Sequence, residues 1–73
     1  MYFVNQRNNS NVVIGGVKLL KEFTTELISV GVGGGQINVL GQKLKIARFD
    51  ENEIEIEGKI ENVETTTSSK RSL

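Results

Sequence analysis

The sequence predicts an all-β protein, a small antiparallel meander that closes into a compact sandwich or barrel-like sheet with disordered tails. Between Gly35 and Val63, isoleucine, leucine and valine recur at every second position. This period is typical of strands whose alternate side chains face a core. Glycines and short polar segments separate the runs, as they do at turns.

The chain is long enough for one domain. Of its 73 residues, 11–64 are expected to form a single β domain. Residues 1–10 and 65–73 have no apolar period and are predicted to be a flexible N-terminal segment and a flexible C-terminal tail. Such a short chain buries only about 60% of its unfolded surface, so a protein partner is expected to add stability.

The first predicted strand, Asn11–Ile14, stops at two glycines and carries no charge. It is expected to be an exposed edge that pairs with a second copy of the chain. The next two strands alternate through Val17–Phe23 and Ile28–Val32. A helix over Val17–Ile28 is the alternative, because its apolar residues also fit a helical stripe; Thr24, Thr25 and the missing caps favour a hairpin.

Gly41 and Gln42 are predicted to form a two-residue turn, since glycine is favoured at the first position of such loops. This turn places Val39 opposite Leu44 and Ile37 opposite Ile46. A following loop over 49–51 then pairs Ile46 with Ile54 and Leu44 with Ile56 on the core face. On the outer face it pairs Lys45 with Glu55 and Lys43 with Glu57.

Composition excludes much of enzymology. The chain has no cysteine, histidine or tryptophan, which removes thiolate and imidazole chemistry and the usual zinc ligands. Residues 1–49 carry a net charge of +4, residues 50–64 carry −6, and the whole chain is neutral. This polarised charge favours a protein partner over nucleic acid. No apolar run approaches a membrane span.

Three segments resemble chemical motifs without completing them. Gly31–Gly35 is glycine-rich, but a strand rather than a helix follows it, so a phosphate-binding loop is not expected. Asp50–Glu53 lacks the glycine and the distal acid of a calcium loop. Glu53, Glu55 and Glu57 line one exposed face, whereas acid–base work needs burial or a cleft to shift a pKa. The prediction is therefore no catalytic, cofactor-binding or metal site.

Lys43, Lys45, Arg48 and Phe49 suggest an alternative, a small SH3-like or Sm-like β-barrel that binds RNA. Compact barrels of this kind stack bases on aromatic side chains beside basic groups. The chain has only four aromatic residues, and Phe49 lies beside acids, so this function is the second choice.

A set of short segments between residues 17 and 64 carries a family resemblance: Lys21–Phe23, Ile28, Gly35–Gly41, Leu44–Ile46, Glu53–Gly58 and Ile60–Glu64. In these segments the chain resembles the YabP/YqfC-like sporulation proteins. The resemblance implies a small non-enzymatic protein of endospore-forming bacteria that helps to build the spore beside a membrane-embedded partner. It implies a cytoplasmic location, at the membrane surface when that partner is bound. It supplies no catalytic residue.

These inferences give one expected function. The chain is expected to be a non-enzymatic structural or assembly protein of sporulation that acts through protein–protein contacts, forms a homo-oligomer, and takes no cofactor or small-molecule substrate.

Overall fold

The structure, a computed structural model, describes residues 2–67 as six antiparallel strands in one open sheet. The strands are β1 (Phe3–Asn8), β2 (Asn11–Gly15), β3 (Val17–Phe23), β4 (Leu27–Val32), β5 (Gly35–Asp50) and β6 (Glu53–Thr67). Their spatial order is β1-β2-β6-β5-β4-β3. The all-β prediction is confirmed, and the segment Val17–Ile28 is the hairpin rather than the helix.

The long hairpin β5–β6 runs through the whole molecule. Residues 35–40 of β5 pair with β4 on one side, whereas residues 53–57 of β6 pair with β2. The register between β5 and β6 shifts after Leu40 and again before Lys45, where the hairpin bends. The sheet thus has two halves: one carries hairpin β3–β4 and the other carries hairpin β1–β2.

The inward side chains of both halves meet in one apolar core. Its fully buried members come from β2, β4, β5 and β6, and in β4, β5 and β6 they alternate with polar residues, as the sequence predicts. They are Val12, Ile14, Ile28, Val30, Ile37, Val39, Ile54 and Ile56. The predicted inward faces of β5 and β6 are therefore confirmed.

Two glycines, Gly41 and Gly58, occupy equivalent places in the two long strands. Each ends a matching sequence, I-x-V-x-G in β5 and I-x-I-x-G in β6. The Gly41 amide donates to the Glu26 carbonyl at 3.1 Å, and the Gly58 amide donates to the Ser10 carbonyl at 3.2 Å. Each acceptor lies in the turn region of the short hairpin that docks there, so the halves are related by an internal pseudo-two-fold.

The two short hairpins share further equivalences. Phe3 of β1 covers Gly15, and Leu19 of β3 covers Gly31 in the same way. Further along the two edge strands, Asn5 pairs with Val13 and Glu22 pairs with Ser29, and Val13 and Ser29 each lie two residues before the covered glycine. Asn5 and Glu22 are therefore equivalent positions on the two edges of the sheet.

The predicted turn at Gly41 and Gln42 is wrong, because β5 continues through both residues. Glycine is needed there for another reason: a Cβ on Gly41 would collide with the carbonyl oxygen of Lys59 in the neighbouring strand. Close backbone approach and a tight turn both select glycine, so the residue type alone did not distinguish them. Lys43, at the same bend, has a φ of +54°.

The predicted register between β5 and β6 is also wrong, by two residues. The connecting loop is the pair Glu51 and Asn52, since Asp50 already pairs with Glu53, and a further register shift between Ile46 and Arg48 brings Ile46 opposite Ile56. At Lys45 and Ile46 the offset from the predicted register is two residues, which keeps both side chains on their predicted faces. The inward and outward assignments hold even though the cross-strand partners differ.

The N-terminal segment requires a third correction. Within residues 1–10, predicted to be flexible, β1 pairs with β2 from Phe3 to Asn8. Backbone hydrogen bonds hold this strand although it lacks an apolar period. Because β2 lies between β1 and β6, Asn11–Ile14 is not the edge that the sequence predicted, and Val13 is buried. β6 extends to Thr67, and residues 68–73 of the predicted tail lie outside the described residues.

Candidate functional site

Arg48 is the centre of a charged cluster on the outer face. Its guanidinium lies 2.9 Å from an Asp50 oxygen, 3.2 Å from a Glu53 oxygen and 3.5 Å from a Glu55 oxygen. The hydrogen bond to Glu53 contributes most to raising the pKa of Arg48. The turn at 51–52 brings Asp50 and Glu53 to the Arg48 guanidinium, which therefore contacts three carboxylates, those of Asp50, Glu53 and Glu55.

Glu55 links this cluster to the N-terminal hairpin. Asn11 donates a hydrogen bond from its Nδ2 to a Glu55 oxygen at 2.8 Å. That bond is the largest cause of a lowered pKa at Glu55, with smaller contributions from Arg48 and Arg7. The Oδ1 of Asn11 is buried and accepts no hydrogen bond from the described residues.

The acidic stripe of β6 is paired with the basic residues of β5, as its chemistry predicts, but with shifted partners. Lys45 lies 3.7 Å from Glu57 rather than opposite Glu55, and Glu55 contacts Arg48 instead. Lys43 lies in the bend between the paired segments. Exposed pairs of this kind contribute about 0 to 1 kcal/mol each and mainly fix register and solubility.

A polar network covers the outer face of the other half of the sheet. Ser29 is only 2% exposed, and its hydroxyl donates to Asn38 Oδ1 at 2.7 Å. Gln36 donates to both residues, at 2.7 and 2.8 Å, and accepts a hydrogen bond from Lys21 at 2.9 Å. The side chains satisfy one another, which favours a structural role for this network.

The residues suggested for RNA binding do not form one surface. Lys45 and Arg48 are on the outer face and are paired with acids. Phe49 pairs with the buried Ile54 and therefore lies on the core side, where its ring is 47% exposed at the end of the sheet. The basic groups and the aromatic ring are thus on opposite faces of β5.

The incomplete motifs have ordinary structural places. Gly33 and Gly34 form the turn between β4 and β5, and Gly34 has a φ of +83°, which favours glycine. Asp50–Glu53 closes the β5–β6 hairpin and lines a shallow surface depression. Within residues 2–67, no group of three or more acidic, cysteine or histidine side chains is arranged to hold a metal ion.

The two edge strands differ in charge rather than in apolar exposure, since β3 also exposes Leu19 and Phe23, at 52% and 53%. β1 is uncharged from Phe3 to Gln6, and its Phe3 and Val4 side chains are 48% and 37% exposed. β3 carries Lys18, Lys21 and Glu22. The sequence prediction missed β1 as an edge. Its one signal is that Phe3 and Gly15 repeat the spacing of Leu19 and Gly31, and a spacing that occurs only twice is too weak to identify a hairpin from sequence.

No described helix is long and apolar enough to cross a membrane.

The most available surface of this small β protein is a strand edge. The charges on the outer face are paired and the polar network is satisfied, whereas the edge of β1 is uncharged from Phe3 to Gln6 and unpaired on one side.

The chain belongs to the YabP family, whose family model matches residues 4–72. This assignment makes it a sporulation-associated protein and confirms the resemblance seen in the sequence. Comparison with curated proteins and with solved structures found no match.

Proposed function

We propose that this chain is a non-enzymatic structural or assembly protein of bacterial sporulation that acts through protein–protein contacts. The observation that carries the proposal is the edge of β1, which is uncharged over four residues and exposes Phe3 and Val4. An edge strand offers unpaired backbone groups to a strand of another chain, and charges are the usual protection against such pairing.

The proposed partners are proteins: a second copy of the chain, a membrane-embedded sporulation protein, or both. The chain then acts in the cytoplasm and lies at the membrane surface when it binds the membrane-embedded partner. We propose no small-molecule substrate, cofactor or nucleic-acid ligand. The family membership supports the sporulation setting, and the exposed edge supports the mode of contact.

RNA binding has weaker support. Affinity for nucleic acid requires basic groups that can contact phosphates, whereas Lys45 and Arg48 are already paired with carboxylates. Retention of the purified chain on a polyanion column provides the direct comparison. Tight retention that weakens steeply with salt favours RNA binding over the assembly role.

The assembly role is tested by two matched substitutions in the sporulating bacterium. Asn5→Lys places a charge on the uncharged part of the β1 edge, and Glu22→Lys places the same residue at the equivalent position of β3, where it reverses a charge; both side chains are exposed. We expect Asn5→Lys to reduce the number of heat-resistant spores and Glu22→Lys to leave it unchanged. Thermal melts of both purified variants verify that folding is retained.

Two outcomes contradict the proposal. If deletion of the gene leaves spore number unchanged, the chain has no required role in building the spore. If only Glu22→Lys reduces spore number, the contact surface is on β3 and the argument from the uncharged edge fails.

A further inference from the structure

We propose that β1 pairs in antiparallel orientation with β1 of a second copy, which joins two six-stranded sheets into a closed dimer. This inference rests on the proposed function and names the partner of the same edge. The pseudo-two-fold makes the edge strands β1 and β3 equivalent, and the inference follows from a difference between them: β3 is protected against strand pairing and β1 is not.

The β3 edge is protected against strand pairing. Its register with β4 is irregular between Val17 and Leu19 and again between Leu20 and Glu22, so a lysine lies at each irregularity, Lys18 and Lys21. Bulges and lysines are two of the devices by which edge strands avoid association. Glu22 adds a third charge to the same strand.

The β1 edge lacks this protection over most of its length. Phe3, Val4, Asn5 and Gln6 pair regularly with β2, and the register shifts only after Gln6. These four residues carry no charge, and the first charge on the strand is Arg7. The fold thus presents one open edge and one protected edge at opposite ends of the sheet.

This asymmetry selects a dimer rather than a filament. Pairing of β1 with β3 of another copy is a head-to-tail contact that repeats without closing, whereas β1 with β1 is isologous and uses up both open edges. Because β3 is protected, the isologous contact is favoured and growth stops at two copies.

The symmetry also limits the register. Directly opposed residues of antiparallel strands face the same side of the sheet, so a two-fold axis between two such strands must pass at a residue. An axis at Asn5 pairs five residues of each strand, from Phe3 to Arg7, and places Arg7 of one copy beside Phe3 of the other. A cation beside an aromatic face is favourable, and the two arginines lie at opposite ends of the contact.

Single cysteines test this arrangement, because the chain has none of its own. The full chain carrying Asn5→Cys is oxidised mildly, and covalent dimer is measured on a non-reducing gel across a range of protein concentrations. Glu22→Cys is the matched control on β3, and Val4→Cys tests the neighbouring register. Circular dichroism melts verify that each variant is folded.

The expected result is cross-linking of Asn5→Cys about tenfold faster than either other variant, because directly opposed Cβ atoms lie about 4.5–5.5 Å apart, close to disulfide distance. Sedimentation of the unmodified chain should show a reversible dimer, and Asn5→Lys should shift it to monomer.

Equal or faster cross-linking of Glu22→Cys overturns the choice of edge, and fastest cross-linking of Val4→Cys overturns the register. A strictly monomeric chain at high concentration overturns self-pairing. In that case, loss of spores in the Asn5→Lys strain still supports the proposed function through a different protein partner, whereas normal spores in that strain count against both proposals.

Discussion

Substitution of Gly58 by alanine should be among the most damaging single-methyl changes in this chain. A Cβ at this position would lie 2.6 Å from the Lys43 carbonyl oxygen and 2.8 Å from the Leu44 Cα. Both atoms belong to the backbone of the neighbouring strand, which cannot rotate away as a side chain can. Gly58 also has a φ of +136°, a conformation that residues with a Cβ rarely adopt.

The expected cost follows from these two effects. Backbone strain of this kind costs about 1–3 kcal/mol, and forcing an extra carbon into packed structure costs about 1–3 kcal/mol more. The sum, about 2–6 kcal/mol, is comparable with the total stability of about 4–11 kcal/mol expected for a chain of this length. Gly58→Ala should therefore be largely unfolded or close to it.

Two other glycines are matched controls. Gly34 has a φ of +83°, but a Cβ added there would have no neighbouring atom within 4 Å, so Gly34→Ala should cost only the strain, about 1–2 kcal/mol. Gly33 has no positive φ, and its added Cβ would contact only the flexible end of Lys18, at 3.6 Å. Gly33→Ala should be neutral or stabilising by up to about 1 kcal/mol.

Urea unfolding followed by circular dichroism, at one low protein concentration, measures all three free energies. The order of cost should be Gly58→Ala, then Gly34→Ala, then Gly33→Ala. If Gly58→Ala costs no more than Gly34→Ala, the close approach of the two long strands at the bend does not constrain the fold, and the explanation given for both bend glycines is refuted.

Three further outcomes are expected. Ile56→Ala should cost about 2–5 kcal/mol in urea unfolding, because the side chain is fully buried, and Ile46→Ala should cost less, because it is only partly buried; the reverse order would contradict the core assignment. Glu55 has a lowered pKa in the fold, so the stability it adds is present above its unfolded pKa and is lost as the pH falls through the folded value. Glu55→Gln should flatten this acid limb in pH-dependent melts, and an unchanged pH profile would contradict the contact with Asn11. Lys45→Gln should change the free energy of unfolding by less than about 1 kcal/mol, because the ion pair between Lys45 and Glu57 is exposed. A larger loss in urea unfolding would contradict the assignment of this pair as a surface contact.

The sequence predicted the strand faces well because alternation is a local signal. Ile54 and Ile56 point inward and Lys45 points outward whichever residue lies opposite. The register also required the loop length, and the polar residues after Phe49 fit the observed two-residue loop, Glu51 and Asn52, as well as the predicted three-residue loop over 49–51. The register at Ile46 also depends on the irregularity between Ile46 and Arg48, which no residue type in that segment indicates.

The edge could not be predicted for a related reason. β1 has no apolar period, since its inner face meets only the margin of the core, and its pairing with β2 is carried by the backbone. The sequence signal that identifies it is the second hairpin, where Leu19 and Gly31 repeat Phe3 and Gly15. A single copy of that spacing is too weak to recognise.

The bent hairpin β5–β6 has a consequence for how the molecule opens. In a sandwich made of separate sheets, one layer can loosen while the other keeps its hydrogen bonds. Here each long strand belongs to both layers, so neither layer has a complete set of backbone partners without the other.

Amide protons of β2 and β4 should therefore exchange with solvent through the same opening event, although they lie in different halves. A ligand that binds only the fully folded protein makes this opening rarer, and it therefore slows the exchange of amide protons in both β2 and β4. A protein docked on the edge of β1 would then slow amide exchange in β4 as much as in β2, although β4 lies on the far side of the core and neither strand changes shape.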